Sequence, residues 1–194
     1  MEQRIGLYGG SFDPIHHGHL LLAREAMESL ALDKILFLPA RVSPYKIDTP
    51  PTDSVIRAEM IAAAICGEKG FEMDDRETRR QGPSYTIDTI REFRAERPDA
   101  KLYYLIGEDS LADLSGWRES EELCRLTEFV ILPRANASAG EESLSRPVSS
   151  HTLTTFISIS STEIRTRVEK GLSIRYFTPC SVMEIIRKYQ LYKK

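Results

Sequence analysis

Little in this 194-residue chain points to an oxidised, membrane-embedded or polyanion-binding protein. Cysteine occurs three times, at Cys66, Cys124 and Cys180, odd in number, far apart and never as C-x-x-C. Thiols scattered in this way exclude a disulfide frame and a thiolate zinc site, and they indicate a reducing, cytoplasmic setting. Long apolar runs are missing too. The longest stretches free of charge and turn residues, such as 61–66, hold about six residues, against the ~18 that cross a bilayer. Met1-Glu2-Gln3-Arg4-Ile5 runs at once into Gly9-Gly10 and Pro14, so no signal-peptide apolar segment fits. Nor is charge of one sign in excess. With 26 basic and 29 acidic residues the net is −3, and no global field draws the chain to a nucleic-acid polymer or an anionic membrane. An anionic ligand must therefore be held by a few placed groups. Apolar residues at 41% and charged residues at 28% suit a globular chain long enough to bury a core without metal or disulfide support.

What is present is alternation. Short apolar runs at 5–8, 34–38, 71–73, 102–106, 129–132 and 153–159 predict strands. Those at 102–106 and 129–132 are the continuous kind expected of buried parallel strands. Helical spacing predicts a helix over 18–30 with Leu20, Ala23, Met27 and Leu30 on one face, a second with Ile56, Met60 and Ala63 on its stripe, and a third over 86–97 stopped by Pro98. The stretch 110–124 reads as broken helix. Ser160 and Glu163 have capping-box spacing, and Gly171 stands where a C′ glycine belongs. Thr178-Pro179 reads as an N-cap with proline at N1, ahead of a stripe of Val182, Ile185, Ile186 and Tyr189. The pattern predicts an α/β fold: a single Rossmann-like open sheet, mostly parallel, with helices on both faces, forming one domain over 1–194. Ligands of such sheets bind outside the carboxyl ends of the strands, at a topological switch point. Residues 135–150, with five serines, Gly140 and paired glutamates but no period, are expected to form a mobile surface loop.

The densest chemistry is Gly9-Gly10-Ser11-Phe12-Asp13-Pro14-Ile15-His16-His17-Gly18-His19, where the first strand runs into the first helix. Glycines let backbone N–H groups approach an anion, and a helix start adds unsatisfied donors and the positive end of the dipole. His16 and His19, three apart, fall on one face of the entering turn and can donate to phosphoryl oxygens as charge develops. The plainer reading is a tight turn with a capping histidine. An H-x-x-H pair could also ligate a metal, but no Cys, Asp or Glu at ligand spacing joins it on that helix. The spacing is not the G-x-G-x-x-G dinucleotide fingerprint. Two histidines, an aspartate and a helix start packed so closely favour phosphate. A second strand-to-helix junction, Ile159-Ser160-Ser161-Thr162-Glu163-Ile164-Arg165, offers three hydroxyls, backbone donors and an arginine one turn in. It reads equally well as a plain cap with a solvated Arg165. The two cradles make joint sense if one polyphosphate lies across both.

These stretches give the chain a resemblance. It is similar to nucleotidyltransferases of the H-x-G-H class and, within them, nearly end to end, to the bacterial nicotinate-nucleotide adenylyltransferase family. Further matches are Gly82-Pro83-Ser84-Tyr85-Thr86-Ile87-Asp88-Thr89, Ile106-Gly107-Glu108-Asp109-Ser110-Leu111, Trp117, and Ile174-Arg175-Tyr176 ahead of Pro179. The resemblance implies transfer of the adenylyl group of ATP to nicotinate mononucleotide, giving deamido-NAD and pyrophosphate in NAD biosynthesis, with Mg²⁺ required. The residue set agrees. A phosphate acceptor is already an anionic nucleophile, so positioning and charge stabilisation suffice, and no general base or covalent Ser or Cys is arranged here.

On this resemblance His16, His19 and Arg165 are the catalytic residues. His19 and the amides of Gly9, Gly10 and Ser11 would face the α-phosphate, while His16, Ser161 and Arg165 hold triphosphate oxygens. Phe12, Gly18, Ser160 and Thr162 complete the ATP set with Gly107 and Asp109, the aspartate accepting from a ribose hydroxyl. Mg²⁺ would be held by phosphates and water, with no protein metal ligand. On the acceptor side Trp117, the sole tryptophan, would stack on the pyridine ring, and Ser84, Tyr85 and Thr86 would line it, the Thr86 amide reading the carboxylate. Lys46 and Arg134 are candidates for the acceptor phosphate. Read without the resemblance, a sole tryptophan is more often core, Thr86 caps its helix whatever it binds, and loop cations are usually solvated. Two positions depart from the family pattern: Tyr45 stands where a histidine is common before Lys46, and Arg118 stands where an aromatic often follows Trp117. The same chemistry with nicotinamide mononucleotide or phosphopantetheine as acceptor is the nearest alternative. His16 and the 84–86 block argue against phosphopantetheine, whose enzymes usually carry Thr for the first His. A non-catalytic nucleotide-binding module on this fold is the alternative from another class, disfavoured by the joint presence of both histidines and Arg165. Surface Trp and Tyr leave homo-oligomer formation open.

Overall fold

In the computed structural model, residues 2–108, 110, 113–133, 150–155 and 157–193 are described. The strands are β1 (Arg4–Gly10), β2 (Lys34–Pro39), β3 (Phe71–Met73), β4 (Lys101–Gly107), β5 (Glu128–Leu132) and β6 (Ser150–Thr152). The α-helices are α1 (His17–Ser29), α2 (Ser54–Ile65), α3 (Arg76–Arg79), α4 (Thr86–Glu96), α5 (Ser120–Leu126), α6 (Ser161–Glu169) and α7 (Cys180–Lys188), with short 3-10 turns at Pro44–Lys46 and Leu114–Gly116. The strands form one six-stranded sheet in the order β3-β2-β1-β4-β5-β6. β1 runs parallel to β4 with Arg4 opposite Lys101 and Tyr8 opposite Leu105, and β4–β5 and β5–β6 are parallel as well. The strand order reverses at β1/β4, the switch point, where the carboxyl ends carry Gly9-Gly10 and Gly107. This is the α/β, Rossmann-like sheet that the alternation predicts.

Contacts group the chain into two units. One comprises Met1–Gly9, Leu22–Leu36 and Tyr85–Ser158; the other comprises Gly10–Leu21, Phe37–Ser84 and Ile159–Lys194. In the first, β1 and β4 carry no charged residue after their opening Arg4 and Lys101 because both of their faces are covered, and Ile5, Leu7, Leu102 and Tyr103 are fully buried. α4 lays Ile87, Ile90 and Phe93 into that core at helical spacing. In the second unit α2 and α7 pack together through Met60, Ile61, Val182 and Ile186, and Ser181 Oγ donates to Ala63 O at 3.0 Å. Each such side chain contributes about 1.5–3 kcal/mol by burial.

Several local expectations shift. α1 buries Leu22, Ala23 and Ala26 rather than a stripe through Leu20, Met27 and Leu30. α2 buries Arg57, Met60, Ile61 and Ile65, leaving Ile56 and Ala63 half-exposed, because its phase is set by an arginine that must point inward. The strand expected at 153–159 is instead β6 at Ser150–Thr152. Its partner β5 ends ahead of Pro133, which has no amide for a ladder, and the amides of Thr154 and Thr155 turn to Glu25 Oε1 at 3.2 and 3.1 Å. Thr178 is not the cap of α7. Its buried hydroxyl donates to Ile15 O at 2.7 Å, Pro179 takes the cap position, and Met183 rather than the exposed Tyr189 completes the buried stripe. Of the loop expected at 135–150, Ser150 opens β6 and the rest lies outside the described residues. Among the described residues no helix is long and apolar enough to cross a membrane.

Candidate active site

The turn after β1 has its carbonyls fixed from behind. Gly10 O accepts from Ala40 N at 2.9 Å, Ser11 O from Arg57 Nη1 at 2.6 Å and Asp13 O from Arg165 Nη1 at 2.8 Å. Pro14 O accepts from Ser161 Oγ at 2.9 Å, and Ile15 O from Thr178 Oγ1 at 2.7 Å. In a planar trans peptide the N–H points opposite to the C=O, so these ties aim the amides of Ser11, Phe12 and Ile15 the other way. N–H groups turned away from such ties can form an anion-binding concavity, whereas in the first turn of α1 the amides of His17, His19 and Leu20 are already engaged, with Phe177 O at 3.0 Å and with His16 O at 3.0 and 3.3 Å. Phe12 holds the bend at φ +47°, a left-handed conformation rare for an aromatic residue. Its ring is buried edge-on against His19 at 5.0 Å and Phe37 at 5.8 Å, so only its backbone can serve a ligand.

His16 and His19 stack with centroids 3.6 Å apart and planes 25° apart. Each ring is fixed by the other's backbone: His16 N donates to His19 Nδ1 at 3.2 Å, and His19 N to His16 Nδ1 at 3.3 Å. A ring nitrogen that accepts an N–H carries no proton, so each neutral imidazole is protonated on Nε2. In that tautomer the ring proton of each histidine is on Nε2, a donor of the type that suits oxygens gaining negative charge.

Beneath the turn lies Arg57, fully buried, which the sequence reading did not single out. Its guanidinium donates to Ser11 O, to Thr52 O at 2.6 Å, and to Ala40 O and Arg41 O at 2.7 and 2.9 Å. Burial lowers its pKa and the nearby Asp13 carboxylate opposes that fall. Lys46 Nζ reaches Ser11 Oγ at 3.3 Å, at the phosphate turn. Ser84, also buried, accepts from Arg41 N at 3.0 Å and donates its amide to Val42 O at 2.9 Å, bracing the loop that carries Lys46. Ser160 caps α6 by accepting from Glu163 N at 3.1 Å, and Thr162 Oγ1 accepts from Arg165 Nη2 at 3.2 Å. Gly10, Ser11, Phe12, His16, Gly18, His19, Lys46, Ser84, Ser160, Ser161, Thr162 and Arg165 thus all fall in the second unit.

Gly9, Tyr85, Thr86, Gly107 and Trp117 fall in the first. Here the organising side chain is the buried Tyr104, another residue the sequence reading passed over. Its hydroxyl is 3.3 Å from Thr86 Oγ1, and its ring meets Trp117 edge-on at 6.2 Å. Thr86 is the first residue of α4, where backbone amides have no intrahelical acceptor. Arg118 lies 4.9 Å over the Tyr85 ring and pairs with Asp88 and Glu119 at 3.8 and 3.6 Å. Asp109 and Arg134 lie outside the described residues. Among the described residues no cluster of three or more His, Cys, Asp or Glu could hold a metal.

Fold and phosphate turn together define a nucleotidyltransferase of the cytidylyltransferase-like class, and that family model matches residues 7–167. A probable nicotinate-nucleotide adenylyltransferase from a Synechococcus species is 39% identical over 197 residues, covering 98% of this chain and 95% of its own. One from Thermus thermophilus is 41% identical over 190 residues, covering 98% and 100%. The chain belongs to the nicotinate-nucleotide adenylyltransferase family. In fold it is similar to the Plasmodium falciparum nicotinic acid mononucleotide adenylyltransferase complexed with NaAD, with a TM-score of 0.83, 23% identity and 98% of each chain covered.

Proposed function

We propose that this chain transfers the adenylyl group of ATP to nicotinate mononucleotide, releasing pyrophosphate and forming deamido-NAD for NAD biosynthesis. The observation that carries the reading is the phosphate turn, with its carbonyls tied back and both histidines set as Nε2–H donors. Full-length likeness to nicotinate-nucleotide adenylyltransferases supplies the acceptor. A phosphate oxygen of the acceptor attacks the α-phosphorus in line, forming a P–O bond as the bond to the β-phosphate oxygen breaks and pyrophosphate leaves with the electron pair. His19 and the amides of Gly9, Gly10 and Ser11 stabilise the α-phosphoryl oxygens. His16, the backbone amide of Ser161 at the start of α6, and Arg165 serve the leaving pyrophosphate. Three N–H groups of Arg165 remain beyond its bonds to Asp13 O and Thr162 Oγ1. Mg²⁺ enters as part of the MgATP substrate and neutralises triphosphate charge, held by phosphate and water, which suits a donor set of amides, imidazoles and hydroxyls. Thr86 and Trp117 read the acceptor ring and its carboxylate. Lys46 and Arg134 reach the acceptor phosphate, and Asp109 reaches a ribose hydroxyl. The chain acts as one nucleotidyltransferase domain, supported by a family match that runs through residues of both units. Its free, scattered thiols support a cytoplasmic setting.

The test is pyrophosphate release with ATP, Mg²⁺ and each of nicotinate mononucleotide, nicotinamide mononucleotide and phosphopantetheine. Preference for the first is expected. Turnover only with another acceptor would overturn the acceptor assignment, and silence with all three would overturn the activity.

A further inference from the structure

Asp13 lies within the phosphate turn, yet its carboxylate takes no part in the chemistry above. It is 8% exposed, and both of its oxygens are engaged within the protein. Oδ1 accepts from the Tyr192 phenol at 2.6 Å, and Oδ2 accepts from Thr52 N at 3.2 Å. The carbonyl of the same residue accepts from Arg165 Nη1 at 2.8 Å. Side chain and main chain of one residue thus join Tyr192, the segment leading into α2 and the arginine proposed for pyrophosphate. The phenol cannot lose its proton under working conditions, because burial and the adjoining carboxylate push its pKa well above the usual range. Tyr192 also adopts φ +62°, a left-handed backbone that a bulky residue keeps only where its surroundings hold it.

We infer that Tyr192 is a positioning residue for ATP: through the Asp13 carboxylate it fixes the turn whose amides and whose Arg165 tie make the triphosphate cradle. The turnover arm of this inference rests on the proposed adenylyl transfer, whereas its ATP-binding arm does not. A hydrogen bond to a carboxylate is of the stronger kind, so deleting it shifts the turn away from its competent arrangement by about tenfold. Apparent ATP affinity falls by the same fraction. The acceptor ring residues, held by Tyr104, are untouched.

The experiment compares full-length Tyr192→Phe with Tyr189→Phe, each at a temperature where the variant is fully folded. Tyr189 is the matched control, since it too donates its hydroxyl to a carboxylate, Glu59 Oε2 at 2.9 Å, on α2 rather than in the turn. Binding of a non-hydrolysable ATP analogue is measured by calorimetry, and KM for ATP and for nicotinate mononucleotide by pyrophosphate release. Tyr192→Phe should weaken the analogue and kcat/KM for ATP by about tenfold, with acceptor KM within about twofold of wild type. Tyr189→Phe should change none of these. A Tyr192→Phe protein that loses only thermal stability overturns the inference, as does an equal loss in Tyr189→Phe. Should the wild type bind the analogue without turning over, the proposed activity fails while the binding ratio still decides on Tyr192. A wild type that binds no ATP overturns both.

Discussion

Gly9→Ala gives the sharpest test of how the first unit is built. A Cβ at Gly9 would stand 2.1 Å from Tyr104 Oη and 3.0 Å from its Cζ. Ordinary contact begins near 3.4 Å, so the hydroxyl must retreat by 3.4 − 2.1 = 1.3 Å. The ring has little room for that. Tyr104 is 6% exposed, edge-on to Trp117 and to Phe129 at 6.2 Å each, and its hydroxyl is 3.3 Å from Thr86 Oγ1. No left-handed φ restricts Gly9, so the penalty is steric rather than conformational. Overpacking of this kind costs about 1–3 kcal/mol. It should also move Thr86 and Trp117, raising the KM for nicotinate mononucleotide by about tenfold or more, since displacements near 1 Å are costly to a positioned site. Tyr104→Phe removes the atom at 2.1 Å and leaves the one at 3.0 Å, so the pair Gly9→Ala/Tyr104→Phe should recover about half or more of the lost stability. Urea unfolding of the four proteins in this cycle, with acceptor KM measured on each, decides the matter. A Gly9→Ala protein as stable as wild type with unchanged acceptor KM would refute the argument, and so would strict additivity of the two changes.

Three further outcomes are expected. His19→Ala should lower turnover by about 10²–10³-fold while circular dichroism shows a folded protein, since it removes the imidazole proposed for the α-phosphoryl oxygens; near-normal kcat would return His19 to a structural role. Trp117→Ala should raise the acceptor KM by about three- to tenfold and leave the KM for ATP unchanged, the range of one lost ring contact; an unchanged acceptor KM would remove it from the ring pocket. Burial pushes the Asp74 carboxyl up, but hydrogen bonds and charge from Arg76 at 2.8–3.1 Å outweigh this and leave its pKa below the ordinary value. A carboxyl depressed in the folded state stabilises above its unfolded pKa, and that contribution disappears as pH falls through the folded value. Arg76→Met should therefore lower stability at neutral pH and flatten its decline below the ordinary carboxylate range; unfolding curves that stay parallel to wild type across that range would exclude the pair as a contributor.

How far the sequence discloses the fold depends on which signal each element rests on. β4 and β5 are plain because continuous Leu, Ile, Tyr and Val runs have no other place in an α/β chain than a covered sheet. α4 is plain because Ile87, Ile90 and Phe93 repeat at helical spacing and Pro98 follows. α2 misleads because periodicity counts apolar residues, whereas the inward face is chosen by Arg57. No hydrophobic pattern announces an arginine whose partners are four carbonyls, three of them 16 or more residues away. β6 misleads for a related reason: Leu153 looks like strand, but Pro133 and Glu25 elsewhere in the chain decide where its ladder ends.

The candidate site divides along the same line. Residue types that could meet a phosphate are visible in the sequence, because glycines, histidines and hydroxyls at strand-to-helix junctions have few other uses together. Which way the backbone faces is not visible, and an anion cradle is made by that direction. Ser161 holds the Pro14 carbonyl, which turns the Ile15 amide the other way, while Arg165 and Thr178 fix the carbonyls of Asp13 and Ile15 on either side of it. Reading Ser161 and Arg165 only as ligands misses that they first shape the receptor. For Arg165 the two roles are compatible because a guanidinium has five N–H groups and two are used on the protein, whereas the single Ser161 O–H goes to Pro14 O and leaves the Ser161 amide at the start of α6 for a ligand. An arginine so anchored loses little further freedom when a phosphate arrives, which favours binding over that by a solvated side chain of equal charge. The same holds for the histidines: accepting at Nδ1 fixes each proton on Nε2 before any ligand is present. A chain of near-neutral net charge can in this way hold a highly charged substrate, since orientation set in advance replaces the attraction that bulk charge would supply.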